Sequence, residues 1–167
     1  MKMKNVLVFV AVVGLIATAG KAAQDTGEKF RPNELSLDLF GTFANQDRFG
    51  NKTDHGGGGL GLNYYFTRYV GIGADSYVEE WKAPYRVNGS VLLRYPIPGA
   101  IGLAPYIFGG GGRQMKYATQ WTLHGGGGLE VRLNPHTGIF GDIRRVFSEK
   151  ASSLDYTLVR AGLRLSF

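Results

Sequence analysis

Hydrophobic and polar residues alternate along eight stretches of the chain after residue 34. The last stretch is the most regular, since Val159, Leu163, Leu165 and Phe167 alternate with residues that are polar or small. Alternation with a period of two is typical of a β-strand that has one apolar face. The pattern predicts eight strands, at residues 35–43, 57–66, 70–78, 85–95, 103–112, 121–133, 138–147 and 156–167.

The connections between these strands alternate in length. Short or turn-like joins are expected at 67–69, 96–102 and 134–137, and mostly longer, more polar joins at 44–56, 79–84, 113–120 and 148–155. Barrels of bacterial outer membranes have this asymmetry, and strands of about 10 residues, tilted near 40°, span roughly the 25 Å of their apolar band. The expected fold is all-β, an eight-stranded antiparallel up-and-down transmembrane β-barrel over residues 35–167.

Aromatic residues occur near both ends of the predicted strands. Those near the turn end are Tyr64, Phe66, Tyr69, Tyr95, Tyr106, Phe140 and Phe167, and those near the loop end are Tyr77, Trp81, Tyr85, Tyr117, Trp121, Phe147 and Tyr156. Amphipathic rings favour the two interfaces between a membrane and water. Their placement supports a barrel that spans a membrane.

Charged residues on the polar faces are mostly arginines and carboxylates, whereas the lysines beyond residue 22 are in the predicted tail or loops. A guanidinium can bind carboxylates through two parallel hydrogen bonds, which suits a confined polar interior. An eight-stranded barrel has an interior just wide enough for side chains to fill. We therefore predict a lumen ion-pair lattice, with an ion path as the alternative. The lattice would consist of Asp38, Asp75, Arg86, Arg94, Glu130, Arg132, Asp142, Arg144, Arg160 and Arg164.

The N-terminus has the pattern of a secretory signal peptide: two lysines, an apolar run over 6–16 and then small residues. We expect a signal peptide at 1–22, cleaved after Ala22 or alternatively after Ala19, and a periplasmic tail at 23–34. Cleavage after Ala22 removes three lysines and lowers the net charge from +6 to +3. No dense basic cluster remains and export removes the chain from the cytoplasm, so no nucleic-acid partner is expected.

The C-terminal residues resemble the terminal assembly signal of bacterial outer-membrane barrels, which is carried here by Arg160, Gly162, Leu165 and Phe167. Residues 105–112, PYIFGGGG, are similar to a fifth-strand segment of the same proteins. The chain from 35 to 167 thus resembles the small eight-stranded outer-membrane β-barrel family of OmpA-like transmembrane domains, OmpX and opacity-type proteins. The resemblance implies a Gram-negative outer membrane, insertion by the outer-membrane assembly machinery, and contact with membrane lipid and lipopolysaccharide.

Candidate catalytic and ligand-binding groups are few. The chain has no cysteine, and its three glycine runs are followed neither by Lys-Ser/Thr nor by a helical pattern, so they do not form a phosphate loop. Some small outer-membrane barrels modify lipid A with His and Ser, but Gly126 stands where a His-any-Ser arrangement around His124 needs serine. His55 and His136 are too dispersed for a predictable metal site. We expect no enzyme activity, no cofactor and no metal.

The function expected from these features is that of an integral outer-membrane barrel with a plugged polar lumen. Its role would be structural, or surface binding through the extracellular loops at 44–56, 79–84, 113–120 and 148–155. The alternatives are a lipid-modifying outer-membrane enzyme, a narrow pore, and a soluble lipocalin-like binding barrel. The lipocalin-like barrel would turn its apolar face inward and its arginines toward water.

Overall fold

The structure is a computed structural model that describes residues 28–48, 51–78, 85–99, 102–115, 120–148 and 155–167, without the side chains of residues 45–48 and 51–55. It contains eight strands, which are β1 (Glu34–Arg48), β2 (Asn51–Tyr65), β3 (Val70–Val78), β4 (Tyr85–Arg94), β5 (Leu103–Met115), β6 (Gln120–Asn134), β7 (Thr137–Ser148) and β8 (Tyr156–Ser166). Each strand pairs antiparallel with its sequence neighbours, and β1 pairs with β8 to close the barrel. The predicted fold class is confirmed.

The described residues include no helix whose length and hydropathy would allow it to cross a membrane.

The structure corrects the predicted extent of β1 and β2. The expected loop at 44–56 is largely strand, since the two strands stay paired as far as Arg48 and Asn51. Beyond an apolar band both faces of a strand meet water, so ladder hydrogen bonds can continue without the alternation from which strands were predicted. The expected loop at 113–120 is shortened in the same way, because β5 continues to Met115 and β6 starts at Gln120.

The strand register gives the barrel its stagger. One row of paired residues starts at Ser36 of β1 and passes from each residue to its partner on the next strand. It reaches β8 at Tyr156. Ser36 itself pairs with Ser166, ten residues further along β8. Strand number and stagger together set the width of a barrel, and for eight strands the interior admits side chains but no wide channel.

The two faces of the wall differ in character. Apolar residues such as Leu39, Trp121 and Leu123 are 59%, 62% and 68% exposed on the outside, whereas the buried side chains of the interior are largely polar or aromatic. Phe40, which breaks the alternation of β1, is buried in the lumen. An apolar outer face and a polar interior are the arrangement that a lipid-embedded barrel requires.

Glycines on the lumen face make room for aromatic rings. A Cβ at Gly126 would lie 2.2 Å from the carbonyl oxygen of Ile143 and 2.7 Å from Cζ of Phe108. A Cβ at Gly162 would lie 2.1 Å from the carbonyl oxygen of Leu39 and 2.7 Å from Cβ of Phe40. Gly126 and Gly162 therefore leave the space that the two phenylalanine side chains occupy.

Candidate functional site

The charged side chains of the lumen form two clusters of ion pairs. All ten residues predicted for the lattice face the interior, and nine of them, joined by Glu34, form the pairs. The lower cluster, near the turn end of the barrel, holds Glu34, Asp38, Arg94, Glu130, Arg132 and Arg164. The upper cluster, nearer the loop end, holds Asp75, Asp142, Arg144 and Arg160.

Glu34, the first residue of β1, is a central acceptor of the lower cluster. Its Oε1 lies 3.0 Å from Nη1 of Arg94 and 2.6 Å from Nη2 of Arg132, and the residue is 1% exposed. Glu34 lies in the predicted tail at 23–34, so this role was not predicted. The available signal was its spacing, because Glu34 precedes Ser36 and Asp38 at the period of two that defines the lumen face.

Glu130 and Asp38 complete the lower cluster. Glu130 accepts hydrogen bonds from Nε of Arg132 and, at 2.5 Å, from Nη1 of Arg164. Its carboxylate also lies 3.6 Å from Nη1 of Arg94. Arg164 also binds Asp38 through two parallel bonds, with Nε to Oδ1 and Nη2 to Oδ2 both 2.7 Å. Arg164 of β8 is therefore tied to both β1 and β6.

Asp75 and Asp142 are the acceptors of the upper cluster. Arg160 binds Asp142 through Nε at 2.8 Å and Nη2 at 2.7 Å, and its Nη1 lies 3.3 Å from Oδ2 of Asp75. Arg144 binds Asp75 at 2.6 Å and 3.2 Å. Arg86, the tenth predicted residue, lies elsewhere, with its guanidinium carbon 4.7 Å from the centroid of the Tyr156 ring.

Each cluster is electrically balanced: the lower one has three carboxylates and three guanidinium groups, and the upper one has two of each. Buried charges are costly unless they are both paired and hydrogen-bonded. Neutral donors satisfy further carboxylate oxygens, namely Asn63 on Asp38 at 2.8 Å, Asn88 on Asp75 at 2.7 Å and Tyr106 on Asp142 at 2.7 Å. The balance lets ten charged groups be held in a narrow interior.

Aromatic rings line the lattice. Tyr106 and Phe140, predicted for the turn-end girdle, and Tyr77 and Tyr156, predicted for the loop-end girdle, are buried inside the barrel instead. The guanidinium carbon of Arg160 lies 4.9 Å from the ring centroid of Phe40, and that of Arg164 lies 5.0 Å from Phe140. Phe40 and Phe140 meet edge to face at 6.2 Å. Rings over the guanidinium faces exclude water from them and add cation–π attraction.

Residues before β1 close the turn end of the lumen. Phe30 is buried with its ring centroid 4.8 Å from the guanidinium carbon of Arg94 and 5.1 Å from that of Arg132. Nη1 of Arg132 donates to the carbonyl oxygen of Lys29 at 3.0 Å, and Nζ of Lys29 donates to that of Arg132 at 3.2 Å. This end of the predicted tail is a cap on the lower cluster.

Little space remains inside the barrel between the clusters. One cavity there has a volume of about 10 Å³, counted as the space that the centre of a water molecule can reach. Its lining includes Asn63, Asp75, Ser90, Tyr106 and Arg160. That volume holds about one water molecule.

Ser90 and His124 meet in the lumen, a contact that was not predicted from the sequence. Ser90 Oγ lies 2.8 Å from Nε2 of His124, and Nδ1 of His124 has no hydrogen-bond partner among the described residues. The two residues pair with Gly110 from either side, and Gly110 puts no side chain between them. A catalytic Ser-His pair needs a further group to orient the base, and no such group contacts Nδ1 in the described part of the chain.

The other two histidines do not extend this site. His136 lies in the β6–β7 turn with Nδ1 3.1 Å from the carbonyl oxygen of Ser166, and the side chain of His55 is outside the described residues. The part of the chain that the structure describes contains no group of three potential metal ligands.

Comparison with known proteins assigns the family. A family model described as "Outer membrane protein beta-barrel domain" matches residues 8–167. The chain belongs to this family. It is therefore an outer-membrane barrel, and the soluble lipocalin-like alternative is wrong because the apolar face points outward. A search of curated proteins found no match to the sequence.

Solved structures share the fold of this outer-membrane barrel at low sequence identity. The N-terminal β-barrel domain of Pseudomonas aeruginosa OprF is 16% identical, with a TM-score of 0.63 over 81% of this chain and 98% of that one. Neisserial surface protein A is 12% identical, with a TM-score of 0.67 over 80% and 97%. Yersinia pestis Ail, in complex with the heparin analogue sucrose octasulfate, is 16% identical, with a TM-score of 0.58 over 81% and 99%.

The four residues predicted as the assembly signal of the barrel lie at the closing strand. Arg160 is in the upper cluster, Gly162 faces the lumen beside Phe40, and Leu165 is exposed on the outer face. The backbone of Phe167 exchanges hydrogen bonds with that of Leu35, at 2.8 Å and 3.4 Å. The predicted signal therefore spans the edge where β8 meets β1.

Proposed function

We propose that the protein is an outer-membrane barrel with a sealed, non-conducting lumen, whose role is structural or lies in contacts made by its extracellular end. The observation that carries this proposal is the pair of balanced ion-pair clusters, with Phe30 beneath them and room for about one water between them. An ion that crossed the lumen would have to displace these buried groups. Depriving one buried charge of its partner costs about 3–5 kcal/mol.

Liposome swelling tests the sealed lumen. Liposomes that contain the folded barrel should swell in small sugars and amino acids no faster than empty liposomes, while a general porin in matched liposomes gives rapid swelling. Migration on a gel with and without boiling verifies that the sample is folded, since a closed barrel resists detergent at room temperature. Swelling above the empty control by a folded sample would instead support a pore.

A surface-binding role is favoured by the β1–β2 hairpin. Its strands remain paired at residues 45–48 and 51–55. The sequence of residues 45–55, NQDRFGNKTDH, contains Phe49 as its one large apolar residue. A polar segment of this kind suits the water beyond the apolar band of the membrane. We propose that this hairpin contacts a partner outside the cell.

The hairpin is tested by shortening it. Replacing residues 46–53 by a two-residue Asn-Gly turn keeps the antiparallel pairing of the strands below it. Bacteria that display the shortened barrel should insert it at normal levels, as judged by the shift in gel migration on boiling, but adhere less to epithelial cells and to heparin-coated surfaces. Unchanged adhesion to both surfaces at equal display would remove the hairpin from the proposal.

The recognition partners of the barrel are also proposals. We propose that the outer-membrane assembly machinery reads Arg160, Gly162, Leu165 and Phe167, and that the outward apolar face contacts membrane lipid. Because Nδ1 of His124 has no hydrogen-bond partner among the described residues, we propose a structural role for the Ser90–His124 pair. On this proposal the protein is not an enzyme.

A further inference from the structure

One buried arginine at the turn end of the barrel has no counter-ion among the described residues. Arg31, in the segment before β1, is 4% exposed, and its Nε, Nη1 and Nη2 have no hydrogen-bond partner in that part of the chain. Every arginine of the two clusters, by contrast, contacts at least one carboxylate. An arginine side chain is effectively always protonated, and a buried charge without a partner is costly. The burial of Arg31 therefore indicates an anion that would pair with it.

The described carboxylates near Arg31 are already engaged or exposed. The backbone N–H of Arg31 donates to Oε2 of Glu34 at 3.3 Å, but the guanidinium groups that contact Glu34 belong to the lower cluster. Glu28 is exposed, and its charge is offset by that of Lys29, whose Nζ donates to a carbonyl oxygen. Since the lower cluster is balanced, Arg31 leaves one uncompensated positive charge among the described residues of the turn end.

Other buried groups at the same end can donate hydrogen bonds and lack a partner. In the described part of the chain, seven of the eleven buried side-chain polar atoms without a hydrogen-bond partner belong to residues of the turn end. They are the three nitrogens of Arg31, Nη2 of Arg94 and the hydroxyl oxygens of Ser36, Tyr65 and Ser166. Each of these groups can donate a hydrogen bond. A site made of donors fits a ligand that accepts hydrogen bonds.

The strand register brings four of these donors together. Ser36 pairs with Ser166 across β1 and β8, and Glu34, two residues earlier on the same face of β1, pairs with Tyr65. The guanidinium carbon of Arg94 lies 3.7 Å from the centroid of the Tyr65 ring. Residues paired across two strands have Cβ atoms about 4.5–5.5 Å apart. The three hydroxyl groups therefore lie close to Glu34, on one side of the lumen.

We propose that the turn end of the lumen binds one singly charged oxyanion, a carboxylate or a phosphodiester group that enters from the periplasm, with Arg31 as its counter-ion. The planar guanidinium donates two parallel hydrogen bonds to such a group, and the nearby hydroxyl groups donate to its remaining lone pairs. Because the nitrogens of Arg31 are closed to solvent, residues 29–33, which precede β1, shift outward when the anion enters. The proposal rests on the proposed function in one respect, the orientation of the turn end toward the periplasm.

NMR spectroscopy of the refolded, ¹⁵N-labelled barrel in detergent micelles tests the site. The reporters are the Nε–Hε signal of Arg31 and the backbone amide signals of Ser36 and Ser166. The Arg31 signal is assigned by its absence from the spectrum of Arg31→Lys, which keeps the charge. The folded protein is titrated separately with sodium acetate, sodium dimethyl phosphate and sodium chloride at equal sodium concentrations. Arg31→Gln is compared with Arg68→Gln, which removes an exposed arginine from the β2–β3 turn at the same end.

We expect acetate or dimethyl phosphate to shift the reporter signals saturably, with equal affinity in the wild-type protein and in Arg68→Gln. The anion that binds more tightly identifies the group as a carboxylate or a phosphodiester. Arg31→Gln should bind it about ten-fold more weakly or worse, the factor that corresponds to one hydrogen bond to a charged group.

Three results would overturn the proposal. Equal shifts with chloride would indicate an adventitious ion only, and equal affinity of folded Arg31→Gln would remove Arg31 from the site. The absence of a saturable shift with either oxyanion in the folded wild-type protein would also refute it, and this result needs no variant to fold. None of these results alters the liposome test of the sealed lumen.

Discussion

Replacing Glu34 by Gln should destabilise the barrel through the lower cluster. The substitution keeps the shape of the side chain but removes one of three negative charges that face Arg94, Arg132 and Arg164. Removing one partner from a buried ion pair costs about 3–5 kcal/mol. Because the glutamine oxygen still accepts a hydrogen bond, we expect the lower end of that range, about 3 kcal/mol.

The assay is urea unfolding of the refolded barrel in detergent micelles, with the folded fraction read from unboiled gels. If the free energy of unfolding falls by about 2 kcal/mol per molar urea, the urea concentration at the unfolding midpoint should be lower by about 1.5 M. Glu28→Gln is the matched control, because Glu28 is exposed in the same N-terminal segment and its change should stay within about 0.5 kcal/mol. A Glu34→Gln midpoint equal to that of Glu28→Gln would refute the reasoning.

A double-mutant cycle then attributes the loss to charge balance. Arg132→Met removes a positive charge from the same cluster, so the combination with Glu34→Gln restores equal numbers of carboxylates and guanidinium groups. The double variant should be more stable than the sum of the single losses predicts, by about 1–3 kcal/mol. Additive losses would show that the two side chains act independently.

Three further predictions concern the wall, its assembly and the Ser-His pair. Gly126→Ala should lose about 1–3 kcal/mol in the urea assay because its Cβ would meet the carbonyl oxygen of Ile143 and the ring of Phe108, whereas the outward Gly125→Ala should be neutral; equal stabilities would contradict the role of lumen glycines. Phe167→Asp should lower the amount of barrel in the outer membrane of cells and leave refolding in detergent nearly normal, and wild-type levels in cells would rule out a C-terminal signal. A fluorophosphonate reagent should leave Ser90 unlabelled on mass spectrometry of the folded protein, and stoichiometric labelling would indicate a nucleophile.

The strand number was predictable because lipid imposes a strict alternation. Each outward residue in the apolar band must be nonpolar, so Leu39, Leu123 and Leu163 mark their strands without any knowledge of pairing. The same rule explains the error at β1 and β2, since beyond the band the alternation is no longer required. Glu34 was misassigned because the apolar alternation of β1 begins at Leu35, so the residue before it was counted as part of the tail.

The lumen contacts were less predictable than the wall. Nine of the residues that form ion pairs were predicted from their charge and from the face of the strand on which they lie. Which of them contact each other depends on the register between strands, which was not predicted. Ser90 and His124 are far apart in sequence and meet because both pair with Gly110. A shift of one residue in either pairing would have turned one of them to the lipid face.

The claim that the lumen is sealed is tested most directly by single-channel recording in a planar bilayer at neutral pH. Protein shown to be folded and inserted should give no stable conductance above the bare membrane, since we propose that the two balanced clusters and the Phe30 cap seal the lumen. Reproducible, long-lived open channels from such protein would contradict the account and identify the barrel as a pore.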